Sequence, residues 1–230
     1  MLVSIIIPCF NEKNTIEEIV NKVLSNNDYK KEIIIIDDYS SDGTKEILKN
    51  NLENKVQKIV FNDKNFGKGY AVRKGIEEST GDIILIQDAD LEYDPQDYKK
   101  LVEPIELNEA DVVYGSRFIG SDKKRVLYFW HSVGNFFLTL LSNMLSNLNL
   151  TDMEVCYKAF RSDIIKNIKL NENRFGFEPE ITAKVAKLNL RIFEVGVKYY
   201  GRKYNEGKKI TWKDGFSAIR CIVYYNLFNN

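Results

Sequence analysis

The sequence predicts an α/β fold, a Rossmann-like and mostly parallel sheet flanked by helices, and three observations carry that prediction. Short apolar runs alternate with stretches of helical periodicity through the first half, several runs stop abruptly at acidic residues, and no internal repeat or low-complexity tract interrupts the alternation. Strands that run parallel inside a covered sheet are buried on both faces, so they read as continuous apolar runs.

Leu2 to Ile7 predicts the first strand, and Ile16, Ile19, Val20, Val23 and Leu24 recur at helical spacing behind it. Ile33 to Ile36 predicts a second strand ending in Asp37-Asp38, with a short helix around Ile47 and Leu48. Val56 to Phe61 is the third strand, and the loop Asn62 to Gly69 opens a helix through Ala71, Val72 and Ile76. Ile83 to Ile86 is the fourth strand and delivers Asp88. Pro95 starts a helix reaching about Leu107. The fifth strand, Asp111 to Tyr114, carries Gly115-Ser116-Arg117 at its end.

Residues 126–150 form the longest apolar stretch, yet polar residues interrupt it periodically. His131, Asn135, Thr139, Asn143 and Asn147 recur every four residues opposite Trp130, Val133, Phe137, Leu141, Met144 and Leu148, which predicts a two-faced helix and argues against a span. The expectation is that its apolar face packs on the core; a bilayer interface or a partner subunit are the alternatives, although the polar face lacks the Lys and Arg that anionic lipids favour. Ile210 to Phe228 predicts a closing amphipathic helix.

Composition narrows the chemistry. With 33 basic and 33 acidic side chains there is no net field to attract nucleic acid, so a phosphate site has to be local. Cys9, Cys156 and Cys221 are odd in number and widely spaced, which predicts reduced thiols and a cytoplasmic chain, and the first residues lack the pattern of a signal peptide. His131 is the only histidine, so neither a His-based metal cluster nor a His-containing triad is available.

The pair Asp88 and Asp90 around Ala89 stands directly behind the fourth apolar run, where hard carboxylate oxygens suit Mg²⁺ or Mn²⁺. Taken alone, such a pair is more often a surface turn. Its surroundings change that reading, because open parallel sheets bind ligands beyond the carboxyl ends of their strands. Asn11 and Glu12 follow strand one, Asp37 and Asp38 strand two, Asp88 and Asp90 strand four, and Arg117 strand five, so the prediction is a nucleotide site with a divalent ion. Neither Gly-x-Gly-x-x-Gly nor a Walker-type Gly-Lys-Ser/Thr is present. Asn65-Phe66-Gly67-Lys68-Gly69 fits either a phosphate-binding helix start or a flexible turn.

The motifs Ile6 to Glu12, Ile36 to Thr44, Asn65 to Gly69 and Asp88-Ala89-Asp90 resemble, in order and spacing, the signatures of family 2 glycosyltransferases. The likeness continues through Gly115-Ser116-Arg117, Asp152 to Arg161, and Arg202 with Lys208, and is closest to the dolichyl-phosphate mannosyltransferase group. The resemblance implies a GT-A fold with C-terminal acceptor-side helices, residues 1–118 binding the nucleotide sugar and 119–230 forming the acceptor side of the same domain. It implies an inverting enzyme that takes a sugar from a GDP- or UDP-sugar with a divalent ion. Pro8, Phe10, Asn11 and Glu12 would line the nucleotide pocket, Asp38 with Asp37 and the preceding Ile36 would meet the base, and Lys68 and Arg117 would steady the substrate. Asp88 and Asp90 would ligate the metal, with Glu92 standing where the family often has Gln. The family segment resembling Asp-Pro-Thr-Ser-Gly-Phe-Arg is here Asp152-Met153-Glu154-Val155-Cys156-Tyr157-Lys158, a departure that leaves the acceptor open.

A hydroxyl acceptor needs a base, for which Asp152 is the family's candidate, whereas a lipid phosphate is already ionised and needs only orientation. Arg202 and Lys208, in the polar stretch Tyr200 to Lys209, fit a loop closing over phosphates. The expectation is therefore transfer to a polyprenyl phosphate, by a chain resting peripherally on the cytoplasmic membrane face. Transfer to a saccharide hydroxyl and a non-catalytic nucleotide-sugar-binding module are the alternatives.

Overall fold

The computed structural model describes residues 1–120, 125–126, 128–203 and 212–228. Seven strands, β1 (Leu2–Cys9), β2 (Lys30–Asp37), β3 (Lys58–Phe61), β4 (Ile83–Ile86), β5 (Val112–Ser116), β6 (Lys158–Arg161) and β7 (Ile192–Gly196), build one sheet in the order β3-β2-β1-β4-β6-β5-β7. All neighbours are parallel except at β6, which runs antiparallel to both β4 and β5. The isoleucines of β1, β2 and β4 are fully buried, as continuous apolar strands covered on both faces must be. β2 starts at Lys30, three residues before its apolar run, because Leu2 to Ser4 of β1 pair with Lys30 to Glu32.

Helices cover the sheet. α1 (Ile16–Ser25) buries Ile16, Ile19, Val20 and Val23, the stripe that its spacing predicts. α2 (Thr44–Ile47) continues as a π-helical turn, Leu48–Leu52, and α3 is Lys68–Glu78. The segment after Pro95 begins as a tight 3₁₀ turn, Pro95–Asp97, with the Asp94 carboxylate accepting from Gln96 N at 3.1 Å, and only then becomes α4 (Tyr98–Glu106). In the second half, α6 (Ser162–Ile165) and α7 (Phe177–Ala186) lie between β6 and β7.

α5 (Phe129–Ser146) is helical where expected, but it is turned the other way round. Thr139 and Ser142 are its buried residues, while Trp130 is 78% and Met144 72% exposed, with Phe129, Phe136 and Phe137 also outward. The core-packing expectation is therefore corrected, and the cause is that the polar face has better partners. Met153 N donates to Thr139 Oγ1 at 3.2 Å, Asn143 closes two bonds with the Leu150 backbone, and Asn135 enters the site described below. Those backbone groups would otherwise be buried unpaired, at about 1–3 kcal/mol each. α5 and α7 both pack against α8 (Trp212–Leu227), which buries Ala218, Cys221, Ile222 and Tyr225. All three cysteines are buried and none forms a disulfide. Among the described residues no helix is long and apolar enough to cross a membrane.

Candidate active site

The rim is assembled first by side chains that lace the strand ends together. Asn11, in left-handed backbone at φ 51°, donates its N–H to Ser40 Oγ at 2.8 Å and accepts from Ser41 N at 2.8 Å. Glu12 N donates to Thr44 Oγ1 at 2.9 Å, so the turns after β1 and β2 move as one. Pro8 and Phe10 border this joint, half-buried. Ile36 is different: its side chain is fully buried with Ile34 and Ala71 and belongs to the core, and the Ala89 side chain is buried as well.

Asp38 holds the loop that follows β3. Its carboxylate accepts from Asn62 Nδ2 at 2.8 Å, Phe66 N at 3.0 Å and Gly67 N at 2.6 Å. The glycines of that loop serve packing: Gly67 sits at φ 106°, and a Cβ on Gly67 or Gly69 would collide with the Asn173 or Glu172 carbonyl. The turn is clamped, not flexible, and the Gly67 N–H is committed to Asp38. Asp37 Oδ1, by contrast, is buried without a partner, and burial pushes that carboxyl up.

Asp88 and Asp90 emerge from β4 above a rigid polar floor, in which Gln87 Oε1 accepts from Tyr98 at 2.7 Å and Tyr157 at 2.6 Å. Each acid has a cation from a distant segment. Lys68 Nζ lies 2.9 Å from Asp88 Oδ1 and 3.1 Å from Glu178 Oε1. Arg202 reaches Asp90 Oδ2 at 2.7 Å, Glu92 Oε1 at 3.2 Å and Glu12 Oε1 at 3.2 Å, joining the β1 and β4 turns. Glu92 also accepts from Arg202 N at 2.9 Å and from Tyr199 at 3.0 Å, so it is occupied in holding Arg202. Burial together with Asp88 and Glu92 pushes the Asp90 carboxyl up, and Arg202 opposes that push. Burial acts to raise Asp88 as well, but Lys68, the Cys156 hydrogen bond and Arg202 together outweigh it and the net direction is down.

Arg117, at the end of β5, is gripped by Asp152. Nε donates to Oδ2 at 2.6 Å and Nη2 to Oδ1 at 2.7 Å, with Arg117 N adding a third bond at 3.0 Å. Asn135 of α5 completes the unit, accepting from Arg117 Nη2 at 2.9 Å and donating to Asp152 Oδ1 at 3.2 Å. Asp152 is fully buried and both its oxygens are used. Such a carboxylate orients a guanidinium, and its base role finds no support in this geometry.

Sequence reasoning overlooked a second group beside Asp88. β6 is antiparallel, so its leading residues arrive at the same rim as the ends of the parallel strands, bringing Glu154, Cys156 and Lys158. Lys158 is fully buried, its Nζ donating to the Met153 and Val155 carbonyls. Glu178 enters from the start of α7. The pattern that flags amphipathic helices was missing there, because α7 is buried nearly all round.

The rim thus unites Glu12, Asp37, Asp38, Lys68, Asp88, Asp90, Glu92 and Arg202, with the Arg117 unit next to Tyr199, over whose ring its guanidinium lies at 5.2 Å. Lys208 lies outside the described residues. Among the described residues no three His, Cys, Asp or Glu side chains form a ready metal cage. Two adjacent carboxylates still fit Mg²⁺ or Mn²⁺, which ordinarily takes one or two from the protein and the rest from substrate phosphates and water. A cleft of about 630 Å³ lined by Met1, Gly81, Asp82 and Arg161 is at the other end of the strands and carries none of this chemistry.

Sheet order and rim together define a GT-A type nucleotide-sugar fold. The chain belongs to glycosyl transferase family 2, whose profile it matches over residues 4–169. It is 29% identical to a dodecaprenyl-phosphate galacturonate synthase of Rhizobium johnstonii and 29% identical to a dolichol-phosphate mannosyltransferase of Pyrococcus furiosus, the alignments covering 89% and 91% of this chain. The chain spans 61% of the length of each of those two relatives. A UDP-N-acetylglucosamine–dolichyl-phosphate N-acetylglucosaminyltransferase of Methanococcus voltae is 29% identical, covering 98% of this chain and 94% of that one. Among solved structures, glucosyl-3-phosphoglycerate synthase of Mycobacterium tuberculosis with Mn²⁺ and UDP-glucose superposes with a TM-score of 0.77 at 17% identity, covering 97% of this chain and 78% of the other, a likeness of fold.

Proposed function

We propose that this chain is an inverting glycosyltransferase that moves a sugar from a nucleoside-diphosphate sugar to a polyprenyl-type phosphate at a membrane surface. The observation that carries this reading is the Arg117–Asp152–Asn135 unit. It offers a fixed guanidinium for a phosphate and no free base for a hydroxyl, and one helix, α5, holds that unit on its polar face while presenting Trp130 and Phe137 outward. The names of the relatives, three of which act on dodecaprenyl or dolichyl phosphate, support it.

In this reading the nucleotide lies along the β1 and β2 turns, with Asp37 Oδ1 as the open acceptor for a base N–H while Asp38 keeps its loop in place. Asp88 and Asp90 hold the divalent ion and the diphosphate, and Glu92 positions Arg202 and stays out of the ion's shell. When bound, the ion neutralises charge developing on the departing nucleoside diphosphate. Lys68 and Arg202, already among the acids, add positive charge to the same region. The acceptor phosphate is anionic at neutral pH and attacks the anomeric carbon from the Arg117 side. The outward face of α5 rests in the headgroup region of the cytoplasmic leaflet, where such an acceptor resides.

The test is an assay with Mn²⁺, a panel of labelled UDP- and GDP-sugars, and a polyprenyl phosphate in detergent. The expected result is label in an acid-labile lipid product together with free nucleoside diphosphate. Label appearing only on saccharide acceptors would overturn the lipid reading, and release of pyrophosphate would overturn the reaction class.

A further inference from the structure

Next to the acid pair lies a group of buried polar atoms that the reading above leaves unused. Glu178 is fully enclosed, its side chain 5% exposed, and only Oε1 is paired, to Lys68; its Oε2 is buried with no partner. Glu154 Oε1 is buried and unpartnered as well. The two carboxylates are close enough to repel each other electrostatically. Lys158 is felt electrostatically by both, but its ammonium donates to the Met153 and Val155 carbonyls. Two neighbouring carboxylate oxygens with no donor are a costly arrangement in an empty fold, so they point to a ligand that brings donors.

The position says which donors. Through Lys68, Glu178 stands within two hydrogen bonds of Asp88, and the sugar of a nucleoside-diphosphate sugar is joined directly to its diphosphate. We infer that Glu154 and Glu178 form the sugar subsite, each accepting a hydroxyl of an uncharged hexosyl group, and that they reject a donor whose sugar carries a carboxylate. This rests on the assignment of Asp88 and Asp90 to the diphosphate. Hydroxyl donors satisfy the orphaned oxygens, whereas a uronosyl group brings a further carboxylate against Glu178 in a poorly solvated space. A site built to accept hydrogen bonds loses more when the donor is missing than an apolar pocket does, which makes this pair a specificity device.

Calorimetric titration of the full chain with Mn²⁺ present tests the inference, using UDP, GDP, UDP-glucose, GDP-mannose and UDP-glucuronate. For whichever base is bound, the expected result is that one of the neutral nucleotide sugars binds at least roughly tenfold tighter than UDP-glucuronate. Glu154→Ala and Glu178→Gln, the latter keeping an oxygen for Lys68 while replacing the orphaned acceptor, are each expected to lose that advantage, and Glu154→Ala binds the bare nucleoside diphosphate within about twofold of the unaltered chain, which also reports that it is folded. Two results overturn the subsite: uronosyl donor binding as tightly as the neutral ones in the unaltered protein, or neutral donor affinity unchanged in both variants. Failure of the unaltered chain to bind either nucleoside diphosphate would instead remove the diphosphate assignment, and the subsite with it.

Discussion

Arg117 and Asp152 face each other as a two-pronged pair, Nε to Oδ2 at 2.6 Å and Nη2 to Oδ1 at 2.7 Å, although 35 residues and the whole of α5 separate them in the chain. Asp152→Asn keeps the shape and loses one accepting oxygen, so the guanidinium tilts. Transfer to a polyprenyl phosphate should fall roughly 10- to 100-fold, the scale associated with a misplaced reacting group, while calorimetric affinity for the nucleoside diphosphate is retained. Asp152→Ala leaves Arg117 without its counter-charge and should cost about 3 kcal/mol in urea unfolding. Unaltered turnover in the Asn variant would contradict the positioning role.

Arg202 sits where it competes with a cation for Asp90, bridging to Glu12 and Glu92 at the same time. In Arg202→Ala those acids lose this shared counterion, so Mn²⁺ alone should raise the melting temperature more than it does for the unaltered protein. Differential scanning at several Mn²⁺ concentrations reads this directly. An equal or smaller rise would show that the arginine and the ion do not share a site.

Burial, then the Glu178 carboxylate, push Glu154 from 4.5 up to about 8. The folded chain therefore keeps a proton that the unfolded chain releases near pH 4.5, and the sign follows: this group's contribution is fully present below 4.5 and is lost as pH rises to about 8. The slope cannot exceed about 1.4 kcal/mol per pH unit. Glu154→Gln removes the titration, so its stability relative to the unaltered chain should improve steadily between pH 5 and pH 8 in urea unfolding. A constant offset across that window would contradict the assignment.

Gly67 and Gly134 make opposite predictions. Gly67→Ala places a Cβ against the Asn173 carbonyl at φ 106° and should destabilise by about 2 kcal/mol or more, with Asp38 losing its grip on the loop. Gly134 lies in α5 with nothing within 4 Å of its would-be Cβ, so Gly134→Ala should stabilise by up to about 1 kcal/mol. Thermal unfolding of the two variants side by side checks both signs.

The outward face of α5 gives a separate handle on location. Trp130→Asp with Phe137→Asp should abolish co-sedimentation with liposomes of bacterial lipids and leave nucleotide affinity intact, since both side chains point away from the rim. Undiminished sedimentation would assign that face to a protein partner.

Most of the nucleotide half was legible because its strands announce themselves: Ile33 to Ile36 and Ile83 to Ile86 are uninterrupted apolar runs that stop at acids. The second half was harder for physical reasons. β6 is four residues long, contains a buried lysine, and pairs Phe160 with Ile84 and Val112, partners that no local pattern identifies. α5 misled because hydropathy alone says which face is apolar, and only the partners of Asn135, Thr139 and Asn143 decide which face turns inward. Arg117, Asp88 and Asp90 were recognisable at strand ends, whereas Glu154 and Glu178 look in sequence like ordinary surface acids.

β6 returns through the sheet between β4 and β5 against the grain of its neighbours. Residues 147–153 thereby lead into a single reversed element, and exchanging them touches neither the β1–β2 ladder, nor the turns stitched by Asn11 and Thr44, nor the Tyr157–Gln87 bond beneath the acid pair. Under the proposed function, gene shuffling confined to that stretch, short of Glu154, can diversify what receives the sugar while the contacts given to the donor are inherited.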